Sequence, residues 1–564
     1  MKHRRSRRLE AAVPAAGAGG PDAVPPPAGA VAPAAASAPL WLAVHLPQLP
    51  LESWRSALDT QARSRPLVLL DGQRVSHVDA TAAACGIRPG MKRATALALA
   101  AELLPGTADP ARDAAALQAV AHAVLAFTPA VANDDPRTVV LEVRSCLRLF
   151  GGLDALLERV EAALEPLGHR LRIAAAPTAA GAALLARWAA LSLRGGSQSG
   201  AVPPALRTPA RGAHVTQRRA FTALLDGAPA WLPGSARAHR EALDGMGLRT
   251  LAELRALPRP GLARRFGEAL LDELDRAYGL RPDPRPWLEA PPRFDSRLEL
   301  FACAEHAEQV LAGAAVLLAR LVAWAQARHG RIGAFTLAMH HEPRHGAAVQ
   351  ATELHVELAE PALDPAHLQL LLRERLGRAT LAAPTLELGL HCSRLAPGPS
   401  PDGDLFPARH GTDQGLLRLL ERLRARLGDE QVQRIVPVAD HRPGHESRGE
   451  PALGGPPGAA GRRAKQAPAG PSAAGSGLPL HRPAFLLAEP LPLAERDGLP
   501  ALDGAPLQLL SGPERVESGW WDGGLVTRDY FIATTRAGAL VWLWRERLPP
   551  GAAAAQWYLQ GRFA

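Results

Sequence analysis

WLAVHLPQLPLES, residues 41–53, decides how the rest of the chain is read. The apolar run Leu40 to Val44 has the length of a buried strand, and it leads straight into His45, Leu46 and Pro47, with no carboxylate until Glu52. Working outward, RPLVLLDG (65–72) is a short buried strand ending in a turn, and residues 77–103 read as helix, turn, helix, broken at Gly86 and Pro89-Gly90. TVVLEVRSCLRLFGG (138–152) is a strand, a bend and a glycine pair. LDALLERVEAALEPLG is an amphipathic helix, and HRLRIAAAPTAAGAALLARWAAL returns as a strand running into a helix. This is an α/β core with mixed pairing. No G-x-G-x-x-G follows a strand, so it is not a dinucleotide-binding unit.

Bulk properties narrow the partners. The 564-residue chain carries a net charge of +9, and its isoelectric point is about 10.1. That balance favours a polyanion, nucleic acid before a membrane surface. Cys85, Cys146, Cys303 and Cys392 lie far apart without a C-x-x-C pair, which suits a reducing cytoplasm and excludes a zinc ribbon or a secreted disulfide scaffold. No apolar run of the ~20 residues that span a bilayer is read, and no membrane partner is expected. Residues 1–38 read as a disordered basic tail, and 449–478, rich in Gly, Pro and Ala, as a flexible linker.

Two further units lie between these stretches. LDGMGLRTLAELRALPRPGLARRFGEALLDELDRAYG (243–279) places short helices around Gly245 and Gly247, with a second such unit closing at RRFG. Paired helices around a glycine hairpin can offer backbone N–H groups to a DNA phosphate, assisted here by Arg249, Arg264 and Arg265. Residues 293–395 alternate strand, long helix, two strands, helix and strand, a small α+β sandwich. His340, His341 and His345 in MHHEPRH read as a solvated loop rather than a metal site. After the linker, nine of the chain's 25 aromatics fall between Trp520 and Phe563, and RDYFIATTRAGALVWLWRER reads as a β-hairpin.

In this order the pieces resemble the Y family of lesion-bypass DNA polymerases, and within it the polymerase-like branch found in damage-induced mutagenesis cassettes. The motifs are WLAVHLPQLPLESW, GIRPGMKRATALALA, RSCLRLFGG, PVADHRP, ESGWWDGGLVTRDYFIA and WYLQGRFA. The resemblance implies an α/β and α+β multidomain chain. Its parts would be a palm and fingers (39–240), a helix-hairpin-helix thumb (241–290), a little finger (291–397), a clamp-binding segment and helix (398–448), the linker, and a small β-rich C-terminal partner-binding domain (479–564).

Active members of that family bind two Mg²⁺ through an acid closing the first palm strand and an Asp-Glu pair before the second. The positions that match are His45 with Pro47, and Arg137 with Thr138. The residues that grip the triphosphate correspond to Ala80 and Ala83, and the ribose gate to Pro50. The resemblance therefore implies a catalytic site without its acids, with no metal and no cofactor. A shifted register would bring Asp134 or Asp135 to the site, and that alternative makes the chain an active translesion polymerase.

Binding functions remain. A clamp ligand presents an aliphatic-aromatic pair to an apolar pocket. Asp402-Gly403-Asp404-Leu405-Phe406 supplies one in an exposed Pro/Gly-rich segment, ahead of Gln48–Glu52 and His367–Leu371. Trp520, Trp521, Trp542 and Trp544 are the candidate partner-binding residues. By resemblance, the partners are damaged or primer-template DNA, the sliding clamp, a second replicative-type polymerase α subunit and a RecA-like companion. The location expected is cytoplasmic, on the nucleoid. A third reading is a free-standing DNA-structure binder that ignores the clamp.

Overall fold

The computed structural model describes residues 38–59, 62–191, 210–214, 218–342, 351–398, 411–453, 482–483, 485–547 and 555–563. In chain order the first region runs β1 (Trp41–His45), α1 (Leu49–Arg55), β2 (Leu67–Asp71), β3 (Arg74–Val78), α2 (Ala80–Ala84), α3 (Arg93–Leu99) and β4 (Leu104–Thr107). It continues through α4 (Pro110–Leu125), β5 (Val131–Asp135), β6 (Thr138–Glu142), α5 (Leu147–Phe150), α6 (Leu153–Leu164), β7 (Arg172–Ala176), α7 (Ala179–Ala190) and β8 (Ala210–His214).

β1 is the middle strand of a sheet ordered β5-β6-β1-β7-β8. It pairs antiparallel with β6 and β7, and β8 joins β7 in parallel, which is the mixed pairing expected. Alternation along β1 sends Leu42 and Val44 into a core with Val120, Val124 and Leu157 from α4 and α6, while Ala43 faces α7. The alanines Ala43, Ala174 and Ala176 let α7 lie close to the sheet. Within α7, Gly181 has no room for a side chain, since a Cβ would stand 2.4 Å from the Phe221 ring. Thr178 caps α7 and Asp109 caps α4, each accepting from first-turn amides. Strands β3-β2-β4 form a separate small sheet.

Helix Arg218–Asp226 comes next, and then four short helices, Arg240–Gly245, Leu251–Ala256, Arg259–Phe266 and Glu268–Ala277, make two hairpins. Gly247 (φ 76°) and Gly267 (φ 90°) take the left-handed backbone that each turn requires. The next unit is a sheet ordered β11-β10-β12-β9, from β9 (Asp295–Ala304), β10 (Gly330–His341), β11 (Ala351–Ala362) and β12 (Thr385–Pro397). Helices Ala307–Ala327 and Pro365–Leu376 cover it. Ala307–Ala327 is long and apolar enough, by length and composition, to cross a bilayer, which corrects the reading of no such run. Here it is the core helix of this unit, burying Leu317, Leu321 and Trp324.

Helix Gly411–Leu427 is tied to that unit by Glu421. Its carboxylate meets His367 Nε2 at 2.7 Å and accepts from Ala359 N at 2.6 Å. Two strands, β13 (Gln433–Pro437) and β14 (Ser447–Pro451), then pair antiparallel. The paired backbone therefore extends two residues past the expected linker start at 449. The C-terminal part is a single sheet in the order β17-β16-β15-β21-β20-β19-β18. Its strands are β15 (Phe485–Arg496), β16 (Leu499–Leu502), β17 (Ala505–Pro506), β18 (Gln508–Ser518), β19 (Val526–Thr534), β20 (Leu540–Glu546) and β21 (Trp557–Arg562).

Candidate functional site

The sheet brings the sequence-matched positions together. His45 closes β1 directly opposite Thr138, and its Nδ1 lies 2.8 Å from the Thr138 hydroxyl. Asp135 pairs with Thr138 across the β5-β6 turn, and its carboxylate accepts from the Arg137 amide at 2.8 Å. Burial, opposed in part by Asp135 and reinforced by Arg187 and Arg137, drives the His45 pKa down to about 3, so the imidazole is neutral at physiological pH. These groups line a cleft of about 940 Å³ between the β5-β6-β1-β7-β8 sheet, α7 and the helical hairpins.

Asp134 and Asp135 both face this cleft, so the shifted-register acids do reach the site. They arrive already paired. Arg187 projects from α7 with its side chain 7% exposed; it contacts Asp134, meets Asp135 at 3.1 Å and approaches Glu273 at 3.9 Å. Arg285 holds Asp134 from the other side at 2.8 Å and Asp283 at 2.7 Å. Burial pulls the Asp135 pKa up, but Arg187, the Arg137 amide, the Thr138 hydroxyl and His45 outweigh it and the net direction is down. Glu273 accepts from Gly234 N, Ser235 N and the Ser235 hydroxyl at 2.8, 3.0 and 2.6 Å. One network thus joins strand β5, helix α7, the second hairpin and the segment leaving it.

This donor set does not fit two magnesium ions. Mg²⁺ demands several hard oxygens in near-octahedral array. The two carboxylates here are spent on guanidinium groups, and the other matched positions are an imidazole, a proline and Arg137. Arg137 Nη2 donates to His77 Nε2 at 2.7 Å, bridging the five-stranded sheet to β3 of the small sheet. Ala80 and Ala83 are exposed on α2 and carry no polar group, and Pro50 is buried in α1. Among the described residues there is no group of three metal-ligating side chains. Sequence reasoning did not find Arg187, Glu273 or Arg285. The signal that could have found them was Arg187 itself, the one charged residue in a helix buried along its whole length.

The first hairpin differs from expectation in its amides. Gly247 N donates to Asp244 O, Leu248 N to Leu243 O, and Arg249 N and Thr250 N to the Glu253 carboxylate. Those N–H groups near Gly245 and Gly247 are satisfied within the chain and are not free for a phosphate. The helix Glu268–Ala277 has no side-chain cap, and Arg264 and Arg265 are exposed beside its start.

The four candidate tryptophans separate. Trp520 and Trp521 are 71% and 54% exposed, 4.7 Å apart edge to face. Trp542 and Trp544 are buried, which corrects their assignment to a docking surface. Trp542 stacks on Tyr530 at 4.4 Å and Trp544 on Tyr558 at 4.3 Å, and Trp544 Nε1 donates to Gln560. They hold the sheet together. The exposed pair is fixed from outside that sheet, because Arg442 bridges Asp440 at 2.7 Å and Asp522 at 2.5 Å. His341 is buried between Thr352 and Thr385, correcting the solvated-loop reading. His345 and the whole of Asp402–Phe406 lie outside the described residues. His367–Leu371 sits on a helix with His367, Leu368 and Leu371 buried, and Leu49 and Leu51 of Gln48–Glu52 are buried in α1.

Comparison with known proteins finds relatives at the level of family, sequence and fold. A family model described as the impB/mucB/samB family matches residues 51–187. Protein ImuB of Caulobacter vibrioides, from two strains, is 29% identical over 493 residues, covering 85% of this chain and all of its own length. Among solved structures, a Dbh ternary complex (14% identity) and DinB from Sulfolobus solfataricus (15%) each cover 64% of this chain and all of their own, with a TM-score of 0.35. The chain is thus similar to Protein ImuB over most of its length, and residues 51–187 match the impB/mucB/samB family model.

Proposed function

We propose that the chain is a non-catalytic, polymerase-shaped adaptor in damage-induced mutagenesis and translesion synthesis. It holds DNA through thumb and little finger, grips the sliding clamp through Leu405 and Phe406, and recruits a partner polymerase through its C-terminal region. The observation that carries the loss of catalysis is Arg187. A guanidinium seated between Asp134 and Asp135 repels a divalent cation and occupies the oxygens that would bind it. Arg249, Arg264 and Arg265 supply sequence-independent affinity for DNA. Trp520 and Trp521 supply the exposed apolar contact for a protein partner, such as the replicative-type polymerase α subunit or the RecA-like companion.

The test is primer extension by the purified full chain with Mg²⁺ or Mn²⁺, alongside clamp binding with and without Leu405→Ala/Phe406→Ala. No extension, with clamp binding abolished in the double variant, is the expected result. One observation favours a second reading, an active polymerase: Asp134 and Asp135 do line the cleft. Extension that disappears in Asp134→Ala/Asp135→Ala would establish that reading and overturn the adaptor.

A further inference from the structure

A second, smaller pocket lies away from the palm cleft. It has a volume of about 370 Å³ and is walled by α1, α4, the 166–170 turn and the core helix Ala307–Ala327. Its charge is one-sided. Arg55, Arg63, Arg170, Arg320 and His169 line it, against the single carboxylate of Glu52. That carboxylate is already engaged, accepting from Arg170 N at 3.2 Å and lying 3.5 Å from His169 Nδ1.

The cations are under-used in the way an absent anion would leave them. Arg320 is 6% exposed. It stands between this pocket and a neighbouring cavity: its Nη1 donates to the Ser296 hydroxyl at 3.2 Å and the Arg297 carbonyl at 3.3 Å on that cavity's side, and no carboxylate pairs with it among the described residues. Arg63 donates to neutral acceptors, the carbonyls of Leu58 and Ser56. Arg55 spends one nitrogen on Asp79 at 2.8 Å while its buried Nε has no partner among the described residues. A guanidinium taken out of water without a counter-charge is expensive, and burial alone lowers the Arg320 pKa. The walls between these groups are alanines of α4 and the core helix, so the space is left open rather than filled. Its size is at the lower end of small-ligand pockets.

We propose that this pocket is an oxyanion site for a phosphate group, with Arg320 as its buried anchor and Arg55 and Arg63 as further donors. Planar guanidinium forks suit the tetrahedral oxygens of phosphate. The same chemistry can come free, as pyrophosphate, or tethered, as the terminal phosphate of a nucleic acid. Because the walls belong to two structural units, an occupant bridges the palm and fingers to the little finger.

Calorimetric titration of the full chain with sodium pyrophosphate, in phosphate-free buffer at constant ionic strength, tests this. One saturable equivalent is expected, and Arg320→Met is expected to weaken it roughly tenfold to a hundredfold, the worth of one charge-assisted hydrogen bond. Met fills the stem but gives up the hydrogen bonds to Ser296 and Arg297, so a modest drop in melting temperature is expected, and Arg63→Met, expected to weaken binding likewise, is the second variant. Arg237→Ala/Arg240→Ala, in the palm cleft, should bind as the parent does. Absence of saturable binding, equal binding in Arg320→Met, or weakened binding in the palm-cleft variant instead would each overturn the proposal. Competition by a 5′-phosphorylated dinucleotide, but not by its unphosphorylated form, identifies a tethered phosphate as the occupant; failure of both to compete identifies the free anion.

Discussion

Replacing Arg187 by Met should open the cleft from within. The side chain is 7% exposed and serves two carboxylates directly, Asp134 and Asp135, with Glu273 a third at 3.9 Å. Asp134 keeps Arg285 at 2.8 Å after the substitution. Asp135 keeps the Arg137 amide, Thr138 and neutral His45, so one buried acid is deprived of its counter-charge. Removing one member of a buried pair costs about 3–5 kcal/mol. The surviving Arg285 interaction places this case near the lower figure, or roughly a hundredfold in the local opening equilibrium. Hydrogen exchange of β5 and α7 amides at pH 7.5 reads that opening directly, which a global melt of a multidomain chain does not. The destabilisation should shrink as the pH falls, because Asp135, no longer held below the usual carboxylate range by Arg187, can take a proton in the folded state. Adding Asp134→Asn and Asp135→Asn should restore most of the protection. A change below about 1 kcal/mol would match an exposed ion pair and refute the argument that this network is buried and structural.

Three further outcomes can be measured. Burial lowers the His122 pKa from 6.5 to about 4, so below about pH 6.5 the unfolded chain binds a proton that the folded chain refuses. Stability should fall as pH drops from 6.5 toward 4, by about 3 kcal/mol when complete, and His122→Leu should flatten that part of a pH–stability profile. Gly181→Ala should cost about 1–3 kcal/mol by overpacking, read by thermal melting, since its Cβ would stand 2.4 Å from Phe221 and 2.5 Å from Thr178 Oγ1. Arg264→Ala/Arg265→Ala should weaken duplex binding without changing sequence preference. It should also lower the slope of log affinity against log salt by about 0.9 for each DNA phosphate the variant no longer neutralises.

Much of the fold was legible because its local signals agree with one another. The strand ending at His45, the capped helix after Thr178 and the 3.6-residue pattern of Leu153–Leu164 each announce themselves within a dozen residues. The long helix Ala307–Ala327 was legible as a helix, but its apolar length was not weighed. The site was half legible. The matched positions His45, Arg137 and Thr138 do converge, since strand register fixes which residues face one another. Arg187, Glu273 and Arg285 were not found, because their meaning depends on tertiary contacts between elements far apart in sequence. Trp542 and Trp544 were misread for a related reason. Aromatic density marks a β-core and a docking surface alike, and only burial tells them apart.

The Arg187 network also bears on what the protein needs from its surroundings. In a cleft whose acids are balanced by bound cations, the counter-charge is borrowed, and it leaves when a chelator or a starved cell withdraws the ion. Here Arg187 and Arg285 carry that charge as part of the chain itself. On the adaptor reading, the cleft's acids are therefore charge-balanced by the chain itself and need no borrowed cation to hold their places.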